Sequence, residues 1–151
     1  NMIKLTQKQA IILPSHNGHV CCVRYSLLGF IDKICINVIY SDIEEFHDHP
    51  WDYTSIILWG GYKESQWKNG IVTTKTYRVG SIIKRKHTDF HRIEPLGKKA
   101  VTLFWKGSKK RNFINWVKDN IIYHEARFWL MQGYTKTKMK NIFNQMKDYN
   151  G

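Results

Sequence analysis

Cysteine is scarce in this chain: there are three, with Cys21 and Cys22 adjacent and Cys35 alone. An odd count without regular spacing is not a disulfide framework and points to a reducing, cytoplasmic compartment rather than to secretion. Adjacent residues of a strand face opposite ways, so Cys21 and Cys22 are not expected to act together. Long apolar runs are also missing. Nothing approaches the roughly 18 residues that a membrane-spanning helix needs. No early stretch combines a basic start, an apolar run and a small-residue cleavage site, so neither a membrane span nor a signal peptide is expected. Acidic residues are few, 12 Asp and Glu against 24 Lys and Arg. No internal repeat and no linker divides the 151 residues, which suit one domain around one core, residues 1–151. No long polar stretch interrupts the hydrophobic residues, which excludes a disordered chain.

What is present is aromatic and basic. Six Trp and eight Tyr suggest a core or pocket built from large flat side chains. The formal charge of +12 favours an anionic partner, although a solvated Lys-rich surface explains most of it. Short β-type runs separated by turn residues occupy about residues 18 to 130. Gly18 to Leu28 and Lys33 to Tyr40 are rich in β-branched and aromatic residues. Asp52 to Ser65 reads as strand, Gly60-Gly61 turn, strand, and Ile71 to Val79 follows a Lys-Asn-Gly turn signal. Ser81 to Arg85, Arg92 to Glu94 and Val101 to Trp105 add three more strands. Many short strands at about 8–12 residue spacing predict an all-β sandwich or barrel. Asn120 to Leu130 fits either a last strand or a short helix. Met139, Ile142, Phe143 and Met146 fall on one face of an amphipathic helix, expected over residues 135–149.

The chemistry concentrates in Phe46 to Gly61. His47 and His49 are one residue apart, so on an extended strand both imidazoles leave the same face. Such a pair is half a site for Fe(II), Zn, Ni, Cu or Mn, and equally a structural hydrogen-bonding pair. His91 follows 42 residues after His49, and a barrel can close distant strands on one another. Three inward imidazoles would leave open positions on an ion, as a catalytic site needs.

These two segments resemble the paired motifs of the cupin superfamily. His47, His49 and Gly61 occupy the His, His and Gly places of the first motif, about residues 46–61, while Thr54 stands where the family has its Glu ligand. Gly80 and His91 keep the Gly-to-His spacing of the second motif, about residues 80–95, in which Lys86, Thr88 and Pro95 replace the usual Pro, Gly and Asn. The wording is similar to small single-domain cupins encoded by phages and bacteria. The resemblance implies a double-stranded β-helix (jelly-roll) barrel with the predicted C-terminal helix outside it, and one divalent ion on His47, His49 and His91. With the Glu absent, it implies either a three-histidine centre, as in the thiol dioxygenase branch, or a site that no longer holds metal. Fe(II) is favoured, with Zn, Ni or Mn as alternatives. Cupins are often dimers, so a homodimer is expected.

Four further residues are candidates for catalysis: Asp52, Tyr53, Glu64 and His87. Asp52 or Glu64 would complete the coordination or act as a base, and His87 would support a ligand or shuttle protons. Asp48, between the histidines, should face the other way. Arg92, Arg78 and, less directly, Lys84 could hold an anion by the planar fork or charge of their heads, and Trp59 could wall the pocket. The reading is a metal-dependent enzyme on a small, anionic molecule, with oxygenase chemistry slightly preferred. The rival is a non-catalytic barrel that captures a nucleotide or sugar. A third reading uses Lys109, Lys110 and Arg111 to bind nucleic acid, for which no recognition motif is present.

Overall fold

The structure is a computed structural model that describes residues 7–12, 20–27, 33–41 and 45–133, with positions 135, 137, 138, 140, 141 and 144 beyond. Eleven strands and one helix are defined among them: β1 Gln7–Ile12, β2 Val20–Ser26, β3 Ile34–Ile39, β4 Tyr53–Trp59, β5 Tyr62–Lys68, β6 Ile71–Tyr77, β7 Ile82–Arg85, β8 Phe90–Pro95, β9 Ala100–Lys106, β10 Asn115–Lys118, β11 Ile121–His124 and α1 Glu125–Met131. The stretch from Asn120 to Leu130, ambiguous from its composition, therefore divides into a strand and a helix. The apolar positions Met139, Ile142, Phe143 and Met146 of the expected 135–149 helix lie outside the described residues.

Six strands form an antiparallel sheet in the order β1-β2-β3-β9-β4-β7. A second sheet runs β6-β5-β8, and β10 pairs with β11. A three-residue segment centred on His47 joins these last two pieces. The His47 N–H donates to the His91 carbonyl at 3.0 Å, and the His91 N–H donates back at 2.9 Å. On the other side, Val117 N–H donates to the Phe46 carbonyl at 2.9 Å and Asp48 N–H to the Asn115 carbonyl at 3.1 Å. Residues 46–48 thus act as a minimal strand between β8 and β10.

Alternation decides which side chains line the interior. In β3, Cys35, Asn37 and Ile39 are buried, and in β4 Tyr53, Ser55 and Ile57 are. Residues paired across strands share a face, so Arg24, Asn37 and Thr102 form one inward row, and Cys35, Phe104, Ser55 and Ile83 another. One end of the interior is apolar, with Cys22, Ile39, Ile57, Tyr62, Ile83 and Ala100 in contact. A second core lies under the short helix, where Trp116, Phe128 and Trp129 pack together. Burying each of these large rings stabilises the fold by about 2–3 kcal/mol.

The turns follow local chemistry. Asn69-Gly70 and Asp119-Asn120 are two-residue loops with positive φ at both positions, the conformation that matches the twist of a hairpin. Gly60-Gly61, read as a turn between two strands, carries the chain from one sheet to the other, because β4 and β5 do not pair. Gly61 sits at φ 120°, and a Cβ there would come within 2.6 Å of the Tyr77 carbonyl. Only glycine fits that crossing.

Candidate metal centre

His47, His49 and His91 meet in the interior between the two sheets. Their three ring centroids stand 4.9 to 5.1 Å apart, close to an equilateral triangle. One nitrogen from each lies within 4.8 Å of the others. The expected strand through the first two is reduced to the bridge at His47, with Pro50 following soon after. Register still delivers the geometry, because His47 is paired directly with His91.

The hydrogen bonds around the rings assign their protons. His47 Nδ1 lies 3.0 Å from the Glu45 carbonyl, which can only accept, so Nδ1 carries the hydrogen and Nε2 keeps its lone pair. His91 Nδ1 lies 2.8 Å from Glu64 Oε2. Burial alone would raise the Glu64 pKa, but the hydrogen bonds and charges of His91 and Arg85 overcome it and hold the carboxyl below its ordinary range. The carboxylate accepts, so His91 Nδ1 carries a hydrogen and Nε2 is the nitrogen left for a metal. His49 Nε2 approaches that atom to 2.8 Å. Either His49 donates to His91, or the two lone pairs face one cation. Two imidazole nitrogens at right angles on one ion stand about 3.0 Å apart, given metal–nitrogen bonds of about 2.1 Å. The donor set therefore fits a borderline divalent ion with small adjustment.

Two of the three rings are held neutral. Burial, and then the neighbouring His91, lower the His47 pKa from 6.5 to about 3. His49 moves well below its ordinary value, first by burial, then by His91 and His47. A buried imidazole that stays neutral needs no deprotonation before it binds a metal. It also has a cost in acid. Because the folded pKa lies below the unfolded one, the unfolded chain takes up protons that the folded chain refuses, and stability present above pH 6.5 is lost as pH falls from 6.5 through about 3. Metal-free protein should show a melting temperature that already declines between pH 6.5 and 5, above the range in which ordinary carboxylates titrate. A flat profile across that interval would contradict the buried neutral state.

Tyr53 closes one side. Its hydroxyl is 3.3 Å from His91 Nδ1, and burial raises its pKa well above the ordinary value. Since Nδ1 carries a hydrogen, the tyrosine oxygen accepts. Thr54, at the family's Glu position, belongs to the opposite register of β4, so no carboxylate enters the triad from that strand. Glu64 stands behind His91, on the side away from Nε2. Its other oxygen accepts from Arg85, whose Nε is 3.0 Å away and whose terminal nitrogen also donates to Tyr77 Oη at 3.1 Å. It orients the His91 ring and does not join the triad.

Other candidates lie elsewhere. His87 and Asp52 pair with each other, Nδ1 to Oδ1 at 2.8 Å, in an exposed loop. That ring and the His87 N–H, at 2.7 Å, hold the Asp52 carboxyl below its usual range, the backbone bond first. Neither residue lines the histidine cavity. Arg92 alternates with His91 and points outward, its guanidinium 4.5 Å from the Phe46 ring centroid. Arg78, Lys84 and Trp59 are exposed, Trp59 at 64%, and none lines the cavity. Asp48 does face away from the two histidines. It accepts from the Asn115 N–H at 2.7 Å and from Arg111. Arg111, grouped by sequence with a nucleic-acid patch, donates to the His49, His87 and Phe113 carbonyls at 3.0, 3.2 and 3.0 Å. Its charge is spent inside the fold, so reversing it would dismantle the site rather than probe a surface.

Three contributors escaped the sequence reading. Trp116 packs between His47, tilted at 4.9 Å, and Phe128, stacked at 5.3 Å, and so ties the helix to the triad. Arg85, named above only as the end of a strand, holds Glu64. Arg24 lines the cavity, as Asn37, Ile39, Ser55, Thr102 and Phe104 do. Its signal was available: alternation places Arg24 on the same face of β2 as Cys22. The cavity itself is small, about 80 Å³.

No protein-family model matches this sequence, and no curated protein sequence matches it either. Solved structures do. Fe(II)-HppE with the alternative substrate (S)-1-HPP superposes with a TM-score of 0.58 at 8% identity, over 71% of this chain and 58% of that one. FeII HppE in complex with substrate gives 0.58 at 9% identity, over 71% and 59%. Drosophila melanogaster CENP-C bound to CAL1 gives 0.50 at 11% identity, over 57% and 70%. The chain thus spans under three fifths of the HppE chains that it resembles. At these identities the likeness concerns the fold, and HppE is a cupin barrel. The fold of this chain is accordingly that of a cupin: an all-β barrel of antiparallel strands, with a short helix near its C-terminal end and three histidines in its interior.

Proposed function

We propose that this chain is a metal-dependent cupin enzyme in which His47, His49 and His91 hold one divalent ion, Fe(II) by preference, and a small anionic molecule reacts beside it. The observation that carries the reading is the convergence of the three imidazoles, two of them already fixed as Nε2 donors by Glu45 and Glu64. Acceptors behind ligating imidazoles are the usual means of aiming them at a metal. A divalent ion there would supply Lewis acidity at its free positions, and Fe(II) would add one-electron chemistry. The chain's own residues do the rest. Tyr53 would donate its remaining hydrogen bond to a bound group, and Ile39, Ile93 and Phe104 would keep water from the cavity. The HppE structures that share the fold contain Fe(II), which agrees with this choice of ion without deciding it.

Non-catalytic capture is the second reading. It draws on the CENP-C structure, where a similar fold is bound to a protein partner. A cavity of about 80 Å³ could not enclose a nucleotide or a sugar, since pockets for larger organic ligands span about 300–1,000 Å³. Such a ligand would have to sit at the mouth.

Elemental analysis of untagged protein separates the two. About one equivalent of Fe, Zn, Ni or Mn, lost in a His47→Ala, His49→Ala variant that remains folded, is the expected result. A wild type that contains no metal and takes up neither Fe(II) nor Zn under anaerobic conditions would reject the enzyme reading.

A further inference from the structure

A larger cavity lies outside the histidine site. About 780 Å³ opens where three chain segments meet: the β5–β6 turn, the 86–89 turn between β7 and β8, and the start of β11. It shares no lining residue with the histidine cavity. Bonds of their own hold its walls in place. Trp67 Nε1 donates to Asn120 Oδ1 at 3.0 Å, which ties the β5–β6 hairpin to the β10–β11 turn. The 86–89 turn is closed by the Asp89 N–H on the Lys86 carbonyl at 3.0 Å and by the Lys86 N–H on Asp89 Oδ2 at 2.7 Å. The His87 N–H and ring, both on Asp52, anchor that turn to the residue before β4. A pre-formed cavity of about 300–1,000 Å³ is the size that encloses a small organic ligand.

The lining has two characters. Trp67 and Phe90 form an aromatic floor, their rings edge to face with centroids 5.5 Å apart. Ile71 and Ile122 stand at the rim on different hairpins, 68% and 50% exposed. A flat ring seated between them would cover apolar surface that now faces water. The charged lining residues are Lys68, Lys86 and Asp89, and Asp89 has one oxygen committed to its own turn. Two ammonium groups against one carboxylate leave a surplus of one positive charge, which suits a single phosphate and not a phosphodiester track. Gln66 and Asn69 add amides that both donate and accept, as the edge of a base requires. A sugar phosphate would satisfy the lysines but leave the rings and isoleucines wet.

We propose that this groove binds a free nucleoside monophosphate, with its base against Trp67, Phe90 and the two isoleucines and its phosphate on Lys68 and Lys86. The site is independent of the metal reading, because it takes no residue from the histidine cavity.

Calorimetric titration tests it. At least one of AMP, GMP, CMP and UMP should bind wild type saturably, and with the same affinity when EDTA is present. The double variant Lys68→Ala, Lys86→Ala should weaken that binding at least about tenfold, and so should Ile71→Ser, Ile122→Ser. All four positions are exposed, so circular dichroism should show both variants folded. No binding of any of the four nucleotides, equal affinity in the lysine variant, or equal affinity for ribose 5-phosphate would each overturn the inference. Binding abolished by EDTA would overturn it too, by moving the nucleotide to the metal centre. A single-stranded oligonucleotide that binds more tightly than the monomers, with the same loss in the lysine variant, would overturn the mononucleotide in favour of nucleic acid. None of these outcomes alters the metal content by which the enzyme reading is judged.

Discussion

Replacing Glu64 by Ala should weaken metal binding by about 10–100-fold, the range found when the acceptor behind a ligating histidine is removed. Glu64 is 2% exposed and sits between two cationic or proton-bearing groups. One oxygen takes the His91 Nδ1–H at 2.8 Å, and the other takes Arg85. Without it, His91 can still lean on Tyr53 at 3.3 Å, a longer contact to a neutral oxygen. The proton on Nδ1 is then no longer enforced, and part of the population presents the wrong nitrogen to the ion. Arg85, with its side chain 13% exposed, would also lose its only carboxylate among the described residues. Stranding a charge in this way costs about 3 kcal/mol of stability. Glu64→Gln keeps an oxygen for His91 and should retain more of the affinity than the alanine variant. Competition with a chromophoric chelator measures the affinity, and urea unfolding the stability. An alanine variant that binds metal as tightly as wild type would mean that backbone register alone aims His91.

Asp48→Ala should destabilise the fold by about 3 kcal/mol in urea unfolding at unchanged slope. The carboxylate is 2% exposed and gathers the Asn115 N–H at 2.7 Å, the Asn115 amide at 2.9 Å and the Arg111 guanidinium. Arg111 in turn holds the carbonyls of His49, His87 and Phe113. Removing the anion leaves a cation with 17% of its side chain exposed, which places the loss near the lower end for a buried pair. Asp48→Asn keeps the shape and two of the hydrogen bonds and should cost less. The metal affinity of Asp48→Ala should fall as well, because Arg111 fastens the His49 backbone. A loss below about 0.5 kcal/mol, typical of a surface pair, would show that the clamp is relaxed in solution.

The two variants test different supports of one triad. Glu64 acts on the ring of His91 through a hydrogen bond, and Asp48 acts on the backbone of His49 through Arg111. A likeness of fold says nothing about either, since HppE with its iron and CENP-C with its protein partner share the barrel. What distinguishes this chain is the content of the cavity: three imidazoles, two of them with Nδ1 tied to an acceptor, and an arginine in the lining.

Much of the fold was readable from the chain. Period-two alternation in KICINVIY and DYTSIILW marks β3 and β4 and their inward residues, because a half-buried sheet face imposes that period whatever its neighbours are. The Asn69-Gly70 turn was legible for a similar reason, since backbone sterics act locally. The motif spacing brought His47, His49 and His91 forward as a group. Sequence could not tell which carboxylate stands near them. Thr54 occupies the family's position for it, yet the carboxylate that reaches the triad is Glu64 on another strand, behind His91 rather than beside it. Nor could it separate Arg24 from Arg78 and Arg92, or Arg111 from the surface lysines. All are basic residues in or beside short strands, and a side chain's partner depends on strand order, here β1-β2-β3-β9-β4-β7 against β6-β5-β8. Alternation is a property of one strand and survives in the sequence. The meeting of Arg24 with the triad, or of Asp48 with Arg111 63 residues later, exists only once two sheets close on each other.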